Sequence, residues 1–155
     1  MNLYDKAIQL LKIRPHYSIE LAKKLSLRGF AKLDIEKVIN LLTAEGLLND
    51  ARYGQQYVEE LIRNKSFGFY GLKAKLMQRG IPAPDAESLL KANFPPEKEL
   101  EIAKRVAAAS ERRASPIKDG RERAGDIDKI KLAQKLSRKG FRTDIIRTVT
   151  STPVF

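Results

Sequence analysis

The clearest pattern in the chain is a pair of leucines four residues apart, followed by a basic residue, a glycine and an apolar residue. Leucines at this spacing lie on one face of a helix. A glycine after the last turn is typical of a helix that ends in the left-handed conformation, and a cation in that turn suits the helix dipole. The pattern therefore predicts three helices that each stop at the glycine. The three copies are Leu21, Leu25, Arg28, Gly29 and Phe30; Leu72, Leu76, Arg79, Gly80 and Ile81; and Leu132, Leu136, Lys139, Gly140 and Phe141.

Apolar positions at helical spacing also precede and follow each copy of this motif. A helical unit of this size cannot bury its apolar face alone, whereas units stacked in a row can. We therefore predict an all-α fold, an elongated array of three tandem three-helix repeats over residues 1–47, 48–94 and 95–155. Measured from the motif glycine, the stripes that follow match one another: Ile35, Val38 and Ile39; Ala86, Leu89 and Leu90; Ile146, Val149 and Thr150.

Two helix starts and one loop are also predicted. Ser18 is expected to be the N-cap of the first motif helix, and either Asn49 or Asp50 the N-cap of the helix that carries Tyr53. The motif glycines are 51 residues apart in the first interval and 60 apart in the second. Because charged residues, proline and glycine fill the segment 110–125, we predict that the extra residues form a charged loop there.

Charge and composition narrow the class of partner. The 155 residues include 30 lysines and arginines against 19 acidic residues, a net charge of +11. A chain this basic favours polyanions, of which nucleic acid is the default, or acidic protein surfaces. The chain has no cysteine, which excludes disulfides and thiolate metal sites. It shows no apolar signal segment and no stretch long enough to span a bilayer, so we predict a cytoplasmic protein.

No pattern of residues indicates catalysis. The single histidine, His16, stands beside a proline and is more typical of a surface or hydrogen-bonded residue than of a general base. Gly68 and Gly71 lack the rest of a phosphate-binding loop, and no cluster of His, Asp and Glu has metal-ligand spacing. We therefore predict no enzymatic activity, no cofactor and no metal.

Three aromatic residues surround these two glycines. Phe67, Phe69 and Tyr70 have rings that could stack on bases or dock a partner. The alternative, which we favour, is that at least two of them fill the space between consecutive helices.

A second lysine precedes the terminal cation of each motif by four residues, so each motif helix carries two cations on one side. Such pairs are commonly solvated, and the last cation then serves only the helix dipole. Three pairs in register favour a second interpretation, since stacked repeats would align them into a stripe that neutralises phosphates in a salt-sensitive, sequence-tolerant way. The candidate binding residues are Lys24, Arg28, Lys75, Arg79, Lys135, Arg138, Lys139 and Arg142.

Four stretches of the chain resemble the RecX family of recombinase regulators. They are residues 18–25 with 28–30; residues 45–53; residues 68–72 with 76 and 79–81; and residues 132, 136 and 138–141. The resemblance spans nearly the whole chain and implies tandem three-helix repeats without enzymatic activity. Asn49 stands where the family pattern more often has an acid, and the segment 110–125 is longer and more charged than the pattern.

The resemblance also implies a partner, the RecA recombinase in its filament on DNA. Binding in the groove of that filament would inhibit the ATPase, strand-exchange and co-protease activities of RecA, and so modulate recombinational repair and the SOS response. Direct binding to single- and double-stranded DNA, weak and independent of sequence, is implied as well. We expect the protein to act as a monomer.

Two other classes of function fit the pattern. A stand-alone DNA-binding protein of helix-turn-helix type would also have glycine turns between its helices. However, the helices that follow the first two motifs are apolar rather than rich in base-reading Arg, Asn and Gln. A purely structural helical adaptor is the third hypothesis.

Overall fold

The computed structural model describes residues 2–113 and 122–151, and throughout these residues the regular secondary structure is helical. The predicted all-α class is thereby confirmed. Across the same residues, no helix combines the length and the hydropathy of a membrane span. The helices are α1 (Leu3–Ile13), α2 (Ser18–Leu27), α3 (Lys32–Ala44), α4 (Asp50–Asn64), α5 (Phe69–Gln78), α6 (Ala83–Asn93), α7 (Pro96–Arg113), α8 (Glu122–Arg138) and α9 (Thr143–Thr150).

The described residues form two compact units. The first unit comprises Met1–Glu60 and Lys75–Leu89, and the second comprises Leu61–Ala74 and Leu90–Phe155. The boundaries of these units fall inside α4, α5 and α6, whereas the predicted repeats are divided between helices. The division into three repeats at 1–47, 48–94 and 95–155 stays a prediction.

In the first unit, α1, α2 and α3 pack on one another around the leucines of the first motif. Leu21 and Leu25 are fully buried, and Ile35 of α3 lies against them as its helical spacing predicts. In the second unit, α7, α8 and α9 pack together. Their buried apolar residues are Ile102, Ala103, Val106, Leu136 and Ile145, and Phe141 is buried in the turn between α8 and α9.

All three motif helices end as predicted. Gly29, Gly80 and Gly140 have φ angles of +90°, +90° and +81°, in the left-handed region that favours glycine. The residue after each glycine donates its backbone N–H to the carbonyl of the second motif leucine, at 3.4, 3.3 and 3.1 Å. This is the Schellman arrangement, in which the apolar residue after the glycine folds back on the helix.

The N-terminal caps differ from the prediction for the first motif helix. Ser18 is the first residue of α2, and Tyr17 occupies the cap position without a side-chain hydrogen bond. The backbone N–H and the hydroxyl of Ser18 instead donate to the carboxylate of Asp50. The alternatives at the next helix are also resolved, since Asn49 accepts a hydrogen bond from Arg52 N at 3.0 Å and caps α4.

The prediction of a loop at 110–125 is wrong at both ends of that segment. Helix α7 continues to Arg113 and α8 begins at Glu122, so both ends of that segment are helical. Its charged residues are compatible with a helix because Glu, Arg and Ala have high helix propensity. The middle of the predicted loop, residues 114–121, lies outside the described residues.

Candidate functional site

Two of the glycine turns are seated on the N-terminus of another motif helix. In the first unit, a Cβ added to Gly80 would lie 3.0 Å from the backbone nitrogen of Glu20 in α2. In the second unit, a Cβ added to Gly140 would lie 2.0 Å from the backbone nitrogen of Gly71 in α5. Glu20 and Gly71 each stand nine residues before their own motif glycine. The same contact between turn and helix start therefore occurs in both units.

Backbone hydrogen bonds fix this contact in the second unit. Gly68 N donates to the carbonyl of Lys139 at 3.0 Å, and Tyr70 N donates to the carbonyl of Gly140 at 2.8 Å. The first N–H groups of a helix have no partner inside the helix, so carbonyls of a neighbouring turn can satisfy them. The glycines at 68 and 71 thus serve close backbone packing. Phe69 is buried and Phe67 half-buried beside them, as predicted for packing residues, whereas Tyr70 is exposed.

A carboxylate completes each receiving helix end. Asp50 accepts from Ser18 N at 2.7 Å in the first unit, and Glu99 accepts from Phe69 N at 2.9 Å in the second. Glu99 has no solvent exposure and also accepts from Arg142 N at 3.0 Å and Arg142 Nε at 2.6 Å. A carboxylate at this place satisfies unpaired N–H groups and suits the positive end of the helix dipole.

The capping role of Glu99 has no signal in the sequence. It stands in α7 among Glu97 and Glu101, and nothing in the sequence distinguishes its carboxylate from theirs. Only the approach of α5 and α9 selects it. Asp50 was recognised as a capping residue, but its partner was expected to be its own helix rather than α2.

The candidate cations fall into two groups in the structure. Arg28 and Arg138 are exposed at the ends of α2 and α8. The other six are half-buried: Lys24, Lys75, Arg79, Lys135, Lys139 and Arg142. Half-burial of a long cationic side chain is common where its stem covers apolar surface. These six therefore take part in packing as well as in surface charge.

Lys24 is engaged with the single histidine. Its ammonium group donates to His16 Nε2 at 2.8 Å, and His16 Nδ1 lies 2.8 Å from the carbonyl of Arg14. A carbonyl only accepts, so this pairing assigns the proton of neutral His16 to Nδ1. Burial lowers the pKa of His16, and the nearby charges of Lys24 and Arg14 lower it further, against the hydrogen bond to the Arg14 carbonyl. The expected hydrogen-bonded role of this histidine is confirmed.

In the first unit, one cation of the first motif lies near Glu20 and one of the second motif lies against Tyr57. Glu20 forms a bidentate ion pair with Arg14. Burial acts to raise the pKa of Glu20, but Arg14 and the charge of Lys24 outweigh burial and lower it. Arg79 stacks on the ring of Tyr57 at 5.1 Å. Arg79 is thus held against an aromatic face, next to the Gly80 turn that contacts Glu20.

The cations of the third motif are held differently. Lys135 donates to Ser110 Oγ at 3.1 Å, and the Lys139 ammonium lies 5.5 Å from the centre of the Phe67 ring. Arg142 pairs with Glu99 and stacks on Phe69 at 4.6 Å. The geometry gives Arg142 a structural role, since its guanidinium closes the junction of α5, α7 and α9.

Within residues 2–113 and 122–151, the structure contains no group of three or more His, Asp or Glu side chains placed to hold a metal ion. What the described residues offer is a set of cations on helix ends and turns. The fold and this surface define a small, basic protein, helical in its described residues, in which two of the three motif turns pack through glycines.

Comparison with known proteins gives the family. Residues 49–90 match the model described as the second three-helix domain of RecX. The chain is 31% identical over 146 residues to "Regulatory protein RecX" of Trichlorobacter lovleyi, covering 94% of this chain and 92% of that protein. It is 34% identical over 146 residues to the protein of the same name from Pseudomonas fluorescens, covering 94% and 87%. The chain belongs to the RecX family of regulatory proteins.

Solved structures agree with this assignment. The crystal structure of RecX from Lactobacillus salivarius superposes with a TM-score of 0.80 at 26% identity, over 94% of this chain and 90% of that one. A second crystal structure, of a regulatory protein RecX, gives a TM-score of 0.75 at 25% identity. The helical fold is therefore shared along nearly the whole chain.

Proposed function

We propose that this protein binds the RecA recombinase in its filament on DNA and inhibits the ATPase, strand-exchange and co-protease activities of RecA. It would thereby modulate recombinational repair and the SOS response. The observation that carries the proposal is membership of the RecX regulatory family along 94% of the chain. The protein acts by binding, as a monomer and without chemistry of its own.

The charge of the chain supports a polyanionic site. A net charge of +11 attracts the protein to a groove lined by DNA phosphates and acidic protein surface, and it speeds association at low salt. A bound molecule that bridges neighbouring RecA protomers restricts the motions that their nucleotide cycle requires. Weak, sequence-independent binding to bare DNA follows from the same cations.

Arg28 in the first unit and Arg138 in the second are the residues of the candidate set that we propose as contacts to the partner, because each is exposed in its own unit. The half-buried lysines and arginines of the motifs add positive potential while they hold the turns in place. Arg142 is left out of the surface, since Glu99 and Phe69 already engage its guanidinium.

An assay of RecA ATPase on single-stranded DNA tests the proposal. We expect inhibition at amounts of protein well below those that saturate the DNA, because each bound molecule acts on RecA rather than on the DNA. Inhibition that appears only when the protein competes for DNA would instead support the stand-alone helix-turn-helix alternative. Pull-down with RecA filaments and with bare DNA at two salt concentrations separates the two forms of binding.

A charge-reversal pair sharpens this test. Arg28→Glu combined with Arg138→Glu is expected to weaken inhibition roughly tenfold or more while helicity is unchanged. The matched control reverses two exposed cations outside the motifs, Lys91 and Arg105, and thus makes the same change of net charge. Equal effects of the two pairs would show that only total charge matters.

A further inference from the structure

Within the described part of the chain, no helix start packs against the turn of the first motif. Apart from Gly29 and its two neighbours in the chain, no heavy atom of the described residues lies within 4 Å of the position that a Cβ on Gly29 would take. Arg28 and Gly29 are exposed, whereas Gly80 and Gly140 are half-buried against helix starts. The first turn has the same left-handed glycine and the same Schellman hydrogen bonds as the other two. The first turn therefore has the conformation of the two docked turns, but among the described residues no helix start covers it.

Apolar side chains flank this open turn. Leu27 is 80% exposed and Leu33 is 71% exposed, two residues before and four residues after Gly29. At the corresponding places the other motifs carry Gln78 and Arg138, and Pro84 and Asp144. Two leucines exposed beside one turn, where the other motifs have polar residues or proline, indicate a surface that a protein covers.

The occupant is indicated by the turns that are already docked. Both sit on a helix N-terminus that is capped by a carboxylate, Asp50 in one unit and Glu99 in the other. The open turn has exposed cations at Arg28 and Lys32, which complement such a carboxylate. We propose that residues 27–33 form a docking surface for an acid-capped helix N-terminus on the partner protein, which is RecA if the proposed function holds.

The third motif helix of a second copy does not provide that helix end. The receiving position of the third motif, nine residues before Gly140, is Lys131. Helix α8 is 17 residues long, against 10 for α2 and α5, so Lys131 lies in the interior of the helix. Backbone N–H groups in a helix interior are already bonded within the helix and cannot bind a turn. The extension of α8 thus favours a foreign partner over head-to-tail assembly.

The test replaces the two leucines with the residues found at the corresponding positions of the other motifs, as Leu27→Gln with Leu33→Asp. Binding of this double variant to RecA filaments is expected to be weaker roughly tenfold or more at both low and high salt, because loss of apolar contact is not screened. Thermal stability and binding to bare DNA are expected to be unchanged. The control is Ile13→Asn, which removes a 75% exposed apolar side chain away from the turn and introduces the residue found at the corresponding place, Asn64.

The possible outcomes distinguish failure of the proposed function from failure of the proposed docking surface. If the wild-type protein does not bind filaments, the proposed function and this docking partner both fail. If it binds and the double variant binds within about twofold of it, the docking surface alone is overturned. Parallel loss of DNA binding would make the turn a nucleic-acid contact. Self-association in sedimentation that the double variant abolishes would make the occupant a second copy, and either result overturns the proposal.

Discussion

The two docked glycine turns differ in how closely the turn approaches the helix start against which it packs. In the second unit, glycine faces glycine: a Cβ on Gly140 would lie 2.0 Å from Gly71 N, and one on Gly71 would lie 2.2 Å from the Lys139 carbonyl. In the first unit, Gly80 faces Glu20, and the nearest approach is 3.0 Å. The motif therefore fixes the shape of the turn, while the residue on the receiving helix sets how tightly it packs.

The capping carboxylates also differ, since the one in the second unit is more deeply buried and accepts more hydrogen bonds. Glu99 is fully buried and accepts three hydrogen bonds from two helix starts and one guanidinium. Asp50 is half-buried and accepts two, both from Ser18. The buried carboxylate of the second unit thus joins two helix starts and a guanidinium, whereas the carboxylate of the first unit holds one helix start. Four predictions test this difference.

The largest effect is expected at Glu99. Glu99→Ala leaves the backbone N–H groups of Phe69 and Arg142 and a half-buried guanidinium without an acceptor, which should lower the free energy of unfolding by about 4 kcal/mol. Urea unfolding followed by circular dichroism measures the loss. Hydrogen exchange should place it in the second unit.

Glu97→Ala is the control for this prediction, because Glu97 is exposed on the same helix. Its expected effect is within about 0.5 kcal/mol of zero. Comparable destabilisation by the two alanine variants would mean that the buried carboxylate does not hold the junction.

The second prediction compares two glycines with the same backbone conformation. Gly29→Ala and Gly140→Ala both place a side chain at positive φ, which costs about 1 kcal/mol. Gly140→Ala should cost about 2 kcal/mol more, because its Cβ must displace the backbone of Gly71. The difference between the two unfolding free energies is the measurement, and equal losses would show that the docked turn yields without strain.

The third prediction concerns the looser junction. Asp50→Ala removes the acceptor for Ser18 at the start of α2 and should cost about 1 kcal/mol, the usual effect of losing a helix cap. Asp50→Asn retains an acceptor oxygen and should restore part of the stability. A cost for Asp50→Ala as large as that of Glu99→Ala would contradict the contrast between the units.

The smallest effect is a dependence on pH that is confined to the first unit. Burial lowers the pKa of His16, so the unfolded chain binds more protons near the unfolded pKa of about 6.5. The contribution of neutral His16 to stability is thus complete above that pH and is lost as pH falls through it toward the folded pKa. The hydrogen-exchange protection factors of the Leu21 and Leu25 amides, taken relative to the intrinsic exchange rate at each pH, should fall at mildly acidic pH, and His16→Gln should remove this response.

The titration of Glu20 does not interfere with the measurement of the pH response of His16. Its pKa is lowered from 4.5, so its contribution is present above that value and is lost only at lower pH. If the amide of Leu136 in the second unit responds to mild acid as strongly as Leu21 does, the effect does not arise from His16.

Local features were predictable because they depend on neighbours in the sequence. The helix ends at Gly29, Gly80 and Gly140 follow from spacing, since a Schellman end involves residues within one turn. Ser18 was assigned wrongly because a carboxylate 32 residues away competes with a local cap. For the same reason, the partners of Lys24 and Arg142 did not follow from their place in the motif.

The sequence by itself determined the helical class, the left-handed glycine turns and the family, because each rests on short-range pattern and on residue identity. The tertiary structure decided which of the repeated positions are buried, paired or open. Glu99 pairs with Arg142, 43 residues away in the chain, and within the described residues the Gly29 turn is uncovered whereas Gly80 and Gly140 pack against helix starts. These differences arise where distant segments exclude water and satisfy one another's polar groups, and a pattern along the chain does not carry that information.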